Sequence, residues 1–391
     1  VDDLLRLDFL RSNFFLLLAQ AELYSTELSY LQKNSIQKPL ATLFIVQQPF
    51  PTVTSKLQSL QEDELVVKLL TGATVRIHSC ESVEATVVAD GQLKGTEGKI
   101  ISNNASTINF STMEARFALK FCEGSRKAAV HLRFSSKIVL DQLNQLVSGS
   151  LESSNSSPFV VMTNQKQWEA CERTLVLRDA FRGFLEISWP QFANGLQRQF
   201  VRTIKKEPLK SVRLLSVFDL NFLYRKFFTT DRSDLVRQDN FDQFWDWYGK
   251  CVQVIRYQRH ISFMWNSGMF YGFITREEVN MVLASHPPGS FIIRFSERHP
   301  GQFGIAYVHQ IDNNSTQIRH YLVSPTDTAA AKVTLPDFVR DKQQFLYLLQ
   351  YSMLQSGPNF QPILKRTAFD QFYSGPRRGD VSGSGYDPLE D

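Results

Sequence analysis

The chain has 391 residues, with 43 Lys+Arg against 39 Asp+Glu, a formal net charge of +4 and a hydrophobic fraction of 43%. That length predicts two to four domains with ample core material, and a charged fraction of 21% with 12% aromatic residues excludes a disordered or fibrous chain. The longest apolar run, Phe14 to Ala19, falls far short of the ~20 residues that cross a bilayer, and no basic-then-apolar leader opens the sequence, so neither membrane insertion nor secretion is expected.

Leu7, Leu10, Phe14, Leu17, Ala21, Tyr24, Leu28 and Leu31 repeat at alternating steps of three and four, one apolar stripe on a helix of about 45 Å. With Phe15, Leu16 and Leu18 also apolar, residues 1–38 read as a coiled-coil or helical-bundle segment buried on more than one side. After Pro39 the texture changes to short β-type runs: Leu43 to Val46, Leu65 to Leu70, Val83 to Val88, Ala115 to Phe121, Val130 to Phe134 and Phe159 to Met162. In the fourth, Ala115, Phe117, Leu119 and Phe121 alternate with Glu114, Arg116, Ala118 and Lys120, the mark of a half-buried strand. Polar stretches at 90–106 and 148–157 separate the runs, and residues 39–183 are expected to form an immunoglobulin-like antiparallel β-sandwich.

From Gln165 the pattern is helical again. Trp168 and Leu175 share one predicted helix, and Phe241, Phe244, Trp245, Tyr248, Val252 and Ile255 recur at helical spacing on another, so an all-α domain is expected over 184–260, its aromatics in the core. Residues 188–260 hold a net charge of +6, the most basic segment of the chain. The acidic stretch from Asp231 to Asp242 is not a calcium loop, because Leu235 and Val236 stand where an oxygen ligand and the turn glycine are required. The cysteines Cys80, Cys122, Cys171 and Cys251 form no CxxC or Cys/His cluster, so neither a zinc site nor a disulfide framework is expected, and a reducing compartment fits. The sequons at Asn104, Asn155, Asn313 and Asn314 and the tripeptide Arg378-Gly379-Asp380 would matter only outside the cell.

The segment Gly289-Ser290-Phe291-Ile292-Ile293-Arg294-Phe295-Ser296-Glu297 sets one arginine inside an apolar strand. A charge buried there needs an anion. A guanidinium holds two phosphate oxygens in a bidentate fork, which lysine cannot do, and Ser296 and the following amides add donors. With Ile318-Arg319-His320-Tyr321 downstream, the segment looks like the phosphotyrosine pocket of an SH2 domain, expected over 261–375 with an α+β fold. Trp265-Asn266-Ser267-Gly268, Gly272-Phe273-Ile274-Thr275-Arg276-Glu277, Val333-Thr334-Leu335-Pro336-Asp337, Ala368-Phe369-Asp370-Gln371-Phe372-Tyr373 and Pro158-Phe159-Val160-Val161-Met162-Thr163-Asn164-Gln165 narrow the resemblance to the STAT family, signal transducers and activators of transcription, and to members of the social-amoeba type. The order coiled coil, p53-like sandwich, helical linker, SH2 domain and tyrosine tail covers essentially the whole chain; the family's N-terminal domain and activation segment are not matched, and one helix stands for four.

The resemblance implies Arg294 as the main phosphate ligand, with Arg276, Ser296, Glu297 and His320 lining the pocket, and Asn164 at a DNA-facing loop. Lys166, Arg126 and Lys127 are phosphate-contact candidates from charge and loop position. Tyr386, in the Gly/Ser/Pro-rich stretch 376–391, is the expected phosphorylation site; the thirteen steps from Tyr373 span about 43–47 Å extended, enough to reach a neighbouring molecule. The implied function is a transcription factor that homodimerises by reciprocal SH2–phosphotyrosine contacts and binds near-palindromic double-stranded DNA, with a tyrosine kinase and a phosphorylated receptor as upstream partners. It would be cytoplasmic when latent and nuclear after phosphorylation. The alternative is a cytosolic SH2 adaptor without DNA binding. No cofactor and no catalysis are expected: the chain lacks GxxxxGK[ST], HExxH and kinase signatures, and Arg256 lies one residue too close to Cys251 for a phosphatase loop.

Overall fold

The computed structural model describes residues 41–58, 65–72, 75–89, 101–125, 128–142, 145–204, 212–229, 235–312, 315–323, 333–354 and 357–373. The expected helix over 1–38, Arg126, Lys127 and the tail with Tyr386 lie outside the described residues. The described chain forms two compact units, one ending at Arg182 and the other beginning at Gly183.

In the first unit, period-two alternation yields two sheets around one core. Strands β1 (Ala41–Ile45), β3 (Leu65–Thr71) and β8 (Glu114–Phe117) make one sheet in the order β1-β3-β8. The second contains β4 (Val75–Cys80), β5 (Val83–Ala89), β7 (Ala105–Ser106), β10 (Val130–Gln142) and β11 (Gln145–Glu152), in the order β11-β10-β5-β7 with β4 also on β10. Short ladders join β6 (Ile101–Ser102) to β9 (Lys120–Phe121), and β2 (Val53–Ser55) to β12 (Val160–Met162). Leu43, Val67 and Phe117 from one side meet Ala85, Leu132 and Phe134 from the other, with the Phe117 and Phe134 rings 5.1 Å apart. Burying each large apolar side chain is worth about 1.5–3 kcal/mol.

Three expectations are corrected. The Ala115–Phe121 run is two strands, broken at Ala118-Leu119, although Ala115, Phe117, Leu119 and Phe121 all face the core as their alternation requires. The β2–β12 ladder is parallel, so the sandwich is not wholly antiparallel; Val160, Val161 and Met162 are all buried, the pattern of a strand covered on both faces. Part of the polar stretch at 148–157 is strand β11, whose residues are almost all exposed. Helix α1 (Trp168–Phe181) completes the unit, burying Trp168, Cys171, Leu175, Val176 and Phe181.

The second unit opens with helices. β13 (Glu186–Ser188) pairs antiparallel with β14 (Leu235–Arg237), and each strand runs into a helix, α2 (Trp189–Ile204) and α4 (Gln238–Tyr257). Between them, α3 (Val217–Phe227) starts on a capping box between Ser216 and Asp219; α5 (Ile261–Asn266) follows α4. The aromatic ladder of α4 is core as its spacing requires, with Phe244 5.4 Å from Phe192 and 5.5 Å from Phe228.

A five-stranded sheet follows: β15 (Ser290–Phe295), β16 (Phe303–Asp312), β17 (Ser315–Val323), β18 (Tyr347–Leu354) and β19 (Gly357–Leu364), in the order β17-β16-β15-β18-β19. Only the β15–β18 pair is parallel. Helices α6 (Arg276–Leu283) and α7 (Leu335–Asp341) both start on capping boxes, Thr275 with Glu278 and Thr334 with Asp337. Gly272, at φ 101°, is required because a Cβ there would lie 2.3 Å from the Trp265 ring. Edge strand β19 carries Pro358 and Pro362, opposite Met353 and Leu349. Helix α8 (Lys365–Phe369) leads to Phe372, whose ring sits 5.1 Å from that of Phe263, and to Tyr373, beneath the Arg340 guanidinium at 5.0 Å. No helix among the described residues is long and apolar enough to cross a membrane.

Candidate functional site

Every residue of β15 is buried, and Arg294 is only 1% exposed. Such a charge is tolerated only where hydrogen bonds and opposite charge surround it. Its Nη1 donates to the Phe295 carbonyl at 2.9 Å and lies 4.0 Å from Glu297 Oε1. The cross-strand partner is Gly304, whose missing side chain leaves the guanidinium against bare backbone: an ideal Cβ would stand 3.4 Å from Cζ. On the other side Gly272 bridges Arg294 in parallel, the Phe295 N–H donating to the Gly272 carbonyl at 2.8 Å and the Tyr271 N–H to the Ile293 carbonyl at 3.0 Å. The arginine is thus held between two backbone segments.

Around the C-terminal end of β15 the remaining pocket candidates converge. Glu297 Oε1 accepts the Arg276 N–H at 2.6 Å, so its carboxylate caps the first turn of α6, where amides and helix dipole favour an anion. Ser296 is buried; its Oγ accepts the His299 N–H at 3.2 Å and stands 3.3 Å from His299 Nδ1. His320, on β17, is 3% exposed and donates from Nε2 to Asn280 Oδ1 at 2.9 Å. Burial first, then the charges of Arg276 and Arg294, push its pKa down to about 3. It is therefore a neutral ring at physiological pH and gives an anion no positive charge of its own. A buried guanidinium, a hydroxyl and the nearby charge of Arg276 suit a tetrahedral anion with several oxygens.

The first unit holds the candidates Asn164 and Lys166. Asn164 and Lys166 are exposed on the loop after β12, which Gln167 pins by accepting from the Thr163 N–H at 3.0 Å and hydroxyl at 2.9 Å. The Ser125 N–H donates to the Val161 carbonyl of β12 at 2.8 Å, and the Ala128 N–H to the Ser125 carbonyl at 3.0 Å. Exposed Lys56 joins β12, its N–H donating to the Met162 carbonyl at 2.8 Å.

Family models match three stretches: a STATa immunoglobulin-like domain over 41–162, an EF-hand fold domain over 164–258 and an SH2 domain over 269–345. The chain is 42% identical to signal transducer and activator of transcription A of Dictyostelium discoideum, over 99% of this chain and 54% of that protein. It is 36% identical to signal transducer and activator of transcription B of the same organism, over 99% of this chain and 36% of that one. A Drosophila melanogaster signal transducer and transcription activator is 26% identical over 51% of this chain and 25% of its own length. Among solved structures, an inactive choanoflagellate Cbl ubiquitin-ligase TKB fragment matches at 16% identity with a TM-score of 0.21, over 47% of this chain and 59% of that one, too low a similarity to bear on fold or function.

This chain belongs to the STAT family. It spans about half the length of the first of these relatives and about a third of the second. The EF-hand match covers the helices on either side of the β13–β14 ladder and takes in α1, which the sequence reading placed with the sandwich. The resemblance is to the fold rather than to a calcium site: the described part of the first loop, Arg182 to Ser188, holds one carboxylate, Glu186, paired with Arg237 at 3.5 Å. Among the described residues no group of three or more His, Cys, Asp or Glu is placed to hold a metal ion.

Sequence reasoning missed three residues of this STAT chain. Lys56 lies more than 100 residues from Asn164 and comes near it only through the parallel β2–β12 ladder. Lys226 Nζ donates to the Glu297 carbonyl at 2.9 Å from 71 residues away. Arg213, ahead of α3, donates to the carbonyls of Trp265 at 3.3 Å, Phe270 at 2.7 Å and Tyr271 at 2.5 Å, and stacks 3.9 Å over the Trp265 ring. No local pattern marks any of them.

The pocket geometry predicts the effect of Glu297→Gln. The amide oxygen keeps an acceptor for the Arg276 N–H, while the charge that an incoming dianion must face is removed. Binding of a phosphotyrosyl peptide should tighten by about three- to tenfold, roughly 0.6–1.4 kcal/mol, as read by isothermal titration. Unchanged or weaker binding would show that the carboxylate does not oppose the ligand.

Proposed function

We propose that this STAT chain is a phosphotyrosine-activated transcription factor whose SH2 domain takes the phosphorylated Tyr386 segment of a second copy. The observation that carries the reading is Arg294, a guanidinium 1% exposed on an apolar strand, beside Ser296 and the α6 amides. Phosphorylation adds a charge of about −1.5 to −2 with oxygens matched to such a fork. Two reciprocal contacts about a two-fold axis close one dimer, and once the first forms the second is intramolecular, raising avidity by about 10²–10⁴. Tyrosine kinases and a phosphorylated receptor are the upstream partners, with cytoplasmic residence when latent and nuclear residence after phosphorylation.

The dimer would present two sandwich ends to one duplex. Lys56, Lys166, Arg126 and Lys127 supply phosphate contacts, Asn164 reaches a base edge, and the half-sites mirror the protein symmetry. The test is sedimentation equilibrium with and without phosphate on Tyr386: a monomer that becomes a dimer only when phosphorylated supports the reading. Tyr386→Phe, treated with the same kinase, should remain monomeric with an unchanged melting temperature; a dimer would overturn the switch. A second reading, an SH2 adaptor without DNA binding, is favoured by the net charge of zero over residues 41–187. Titration of the phosphorylated dimer with random-sequence duplex pools separates the two, the adaptor enriching no sequence.

A further inference from the structure

The loop after β15 is tied on two sides. Glu297's carboxylate bonds to the first amide of α6, and its carbonyl accepts from Lys226 of α3, a helix outside the SH2 match. The neighbouring Arg225 pairs from the same helix with Glu278 Oε1 at 3.4 Å, while Glu278 Oε2 accepts the Thr275 N–H at 3.0 Å in the capping box of α6. Two consecutive basic residues of α3 therefore touch the two elements that frame Arg294, the loop at Glu297 and the start of α6. Lys226 is exposed, yet its ammonium is held by that bond and stands 5.4 Å from the centres of both the Phe227 and Trp247 rings. Trp247 in turn lies 5.8 Å from Phe273 and 6.5 Å from Phe295, the residue after Arg294, so the floor behind the pocket is also packed from the helical side.

We propose that the pocket is completed by the linker, with Lys226 as a positioning residue that fixes the loop at Glu297 in its ligand-ready orientation and places a second-rank positive charge behind it. This rests on the phosphotyrosine reading above. Arg225, 62% exposed, acts as the weaker arm because water screens its pair with Glu278. Lys226 acts through a charge-assisted bond to a carbonyl 2.9 Å away, backed by the Phe227 and Trp247 rings. Occupancy of the pocket and the placement of α3 are then linked, because whatever shifts the helix moves the loop.

The test is titration of the unphosphorylated 391-residue chain, by fluorescence anisotropy at fixed salt, with a labelled phosphotyrosyl peptide of residues 382–390. Lys226→Met, which keeps the stem against Trp247 and removes the donor, should bind about tenfold more weakly, while Lys226→Arg, which keeps a donor and the charge, should recover most of the loss. Thermal melts of all three proteins distinguish loss of the loop contact from loss of fold. Equal binding by Lys226→Met and the unaltered chain would overturn the clamp, and so would a Lys226→Arg variant as weak as Lys226→Met with an unchanged melt. Failure of the unaltered chain to take the peptide would overturn the pocket reading, and the clamp with it.

Discussion

Replacing Arg294 with alanine is expected to abolish phosphate-dependent association. The guanidinium is the buried charge of the pocket, and truncating one partner of a desolvated charge pair costs roughly 2–5 kcal/mol, a loss of about 30- to 5,000-fold in affinity. Most of that loss should persist in Arg294→Lys, which keeps the charge but not the planar fork that holds two oxygens at once. The comparison separates geometry from electrostatics: if lysine restored binding, a point charge would suffice and bidentate recognition would be wrong. Peptide titration gives the affinities. A melt of each variant is needed beside it, because Arg294 also donates to the Phe295 carbonyl and packs against Gly304.

Arg213→Ala should produce the largest stability loss. The side chain fills three carbonyl acceptors at the entrance to the SH2 domain and lies 4.0 Å from Asp219, which is fully buried. Removing it strands those acceptors and leaves a buried carboxylate without its cation, a cost of about 3–5 kcal/mol. Burial already raises the pKa of Asp219, and the Arg213 charge opposes that rise. Without the arginine it rises further. A carboxyl whose folded pKa exceeds the unfolded value contributes stability that is present at low pH and lost as pH climbs through the folded pKa. The variant's deficit should therefore be smaller in mild acid than near pH 8. Chemical denaturation across pH 4.5–8 measures this, and a deficit that does not change with pH would show that Asp219 is not the group left uncompensated.

Much of the fold was legible because burial and periodicity coincide. Phe117 and Phe121 alternate with polar residues and face the core; Phe241, Phe244, Tyr248 and Val252 return each helical turn and line the inside of α4. Strand β11 was not legible, since an edge strand exposed on both faces leaves no alternation to read. Nor was the parallel pairing of β12, which depends on a partner about a hundred residues away. Arg294 stood out because one charge among four apolar residues is anomalous in any strand. Lys226 and Arg213 did not, because a single basic residue near a helix is ordinary until the chain brings a carbonyl to it from a distant segment.

The prolines of β19 carry a consequence for assembly. An edge strand offers its outward N–H groups to any passing strand, and a proline is tolerated in a ladder only where its missing N–H points outward. Pro358 and Pro362, four residues apart, lie on the same side, so the outer rim of β19 lacks donors at both positions. That rim is poor in donors, and β17 forms the opposite margin of the sheet. A sheet blocked along one margin cannot propagate through both, so crowded chains would meet a terminator rather than a template for fibre growth.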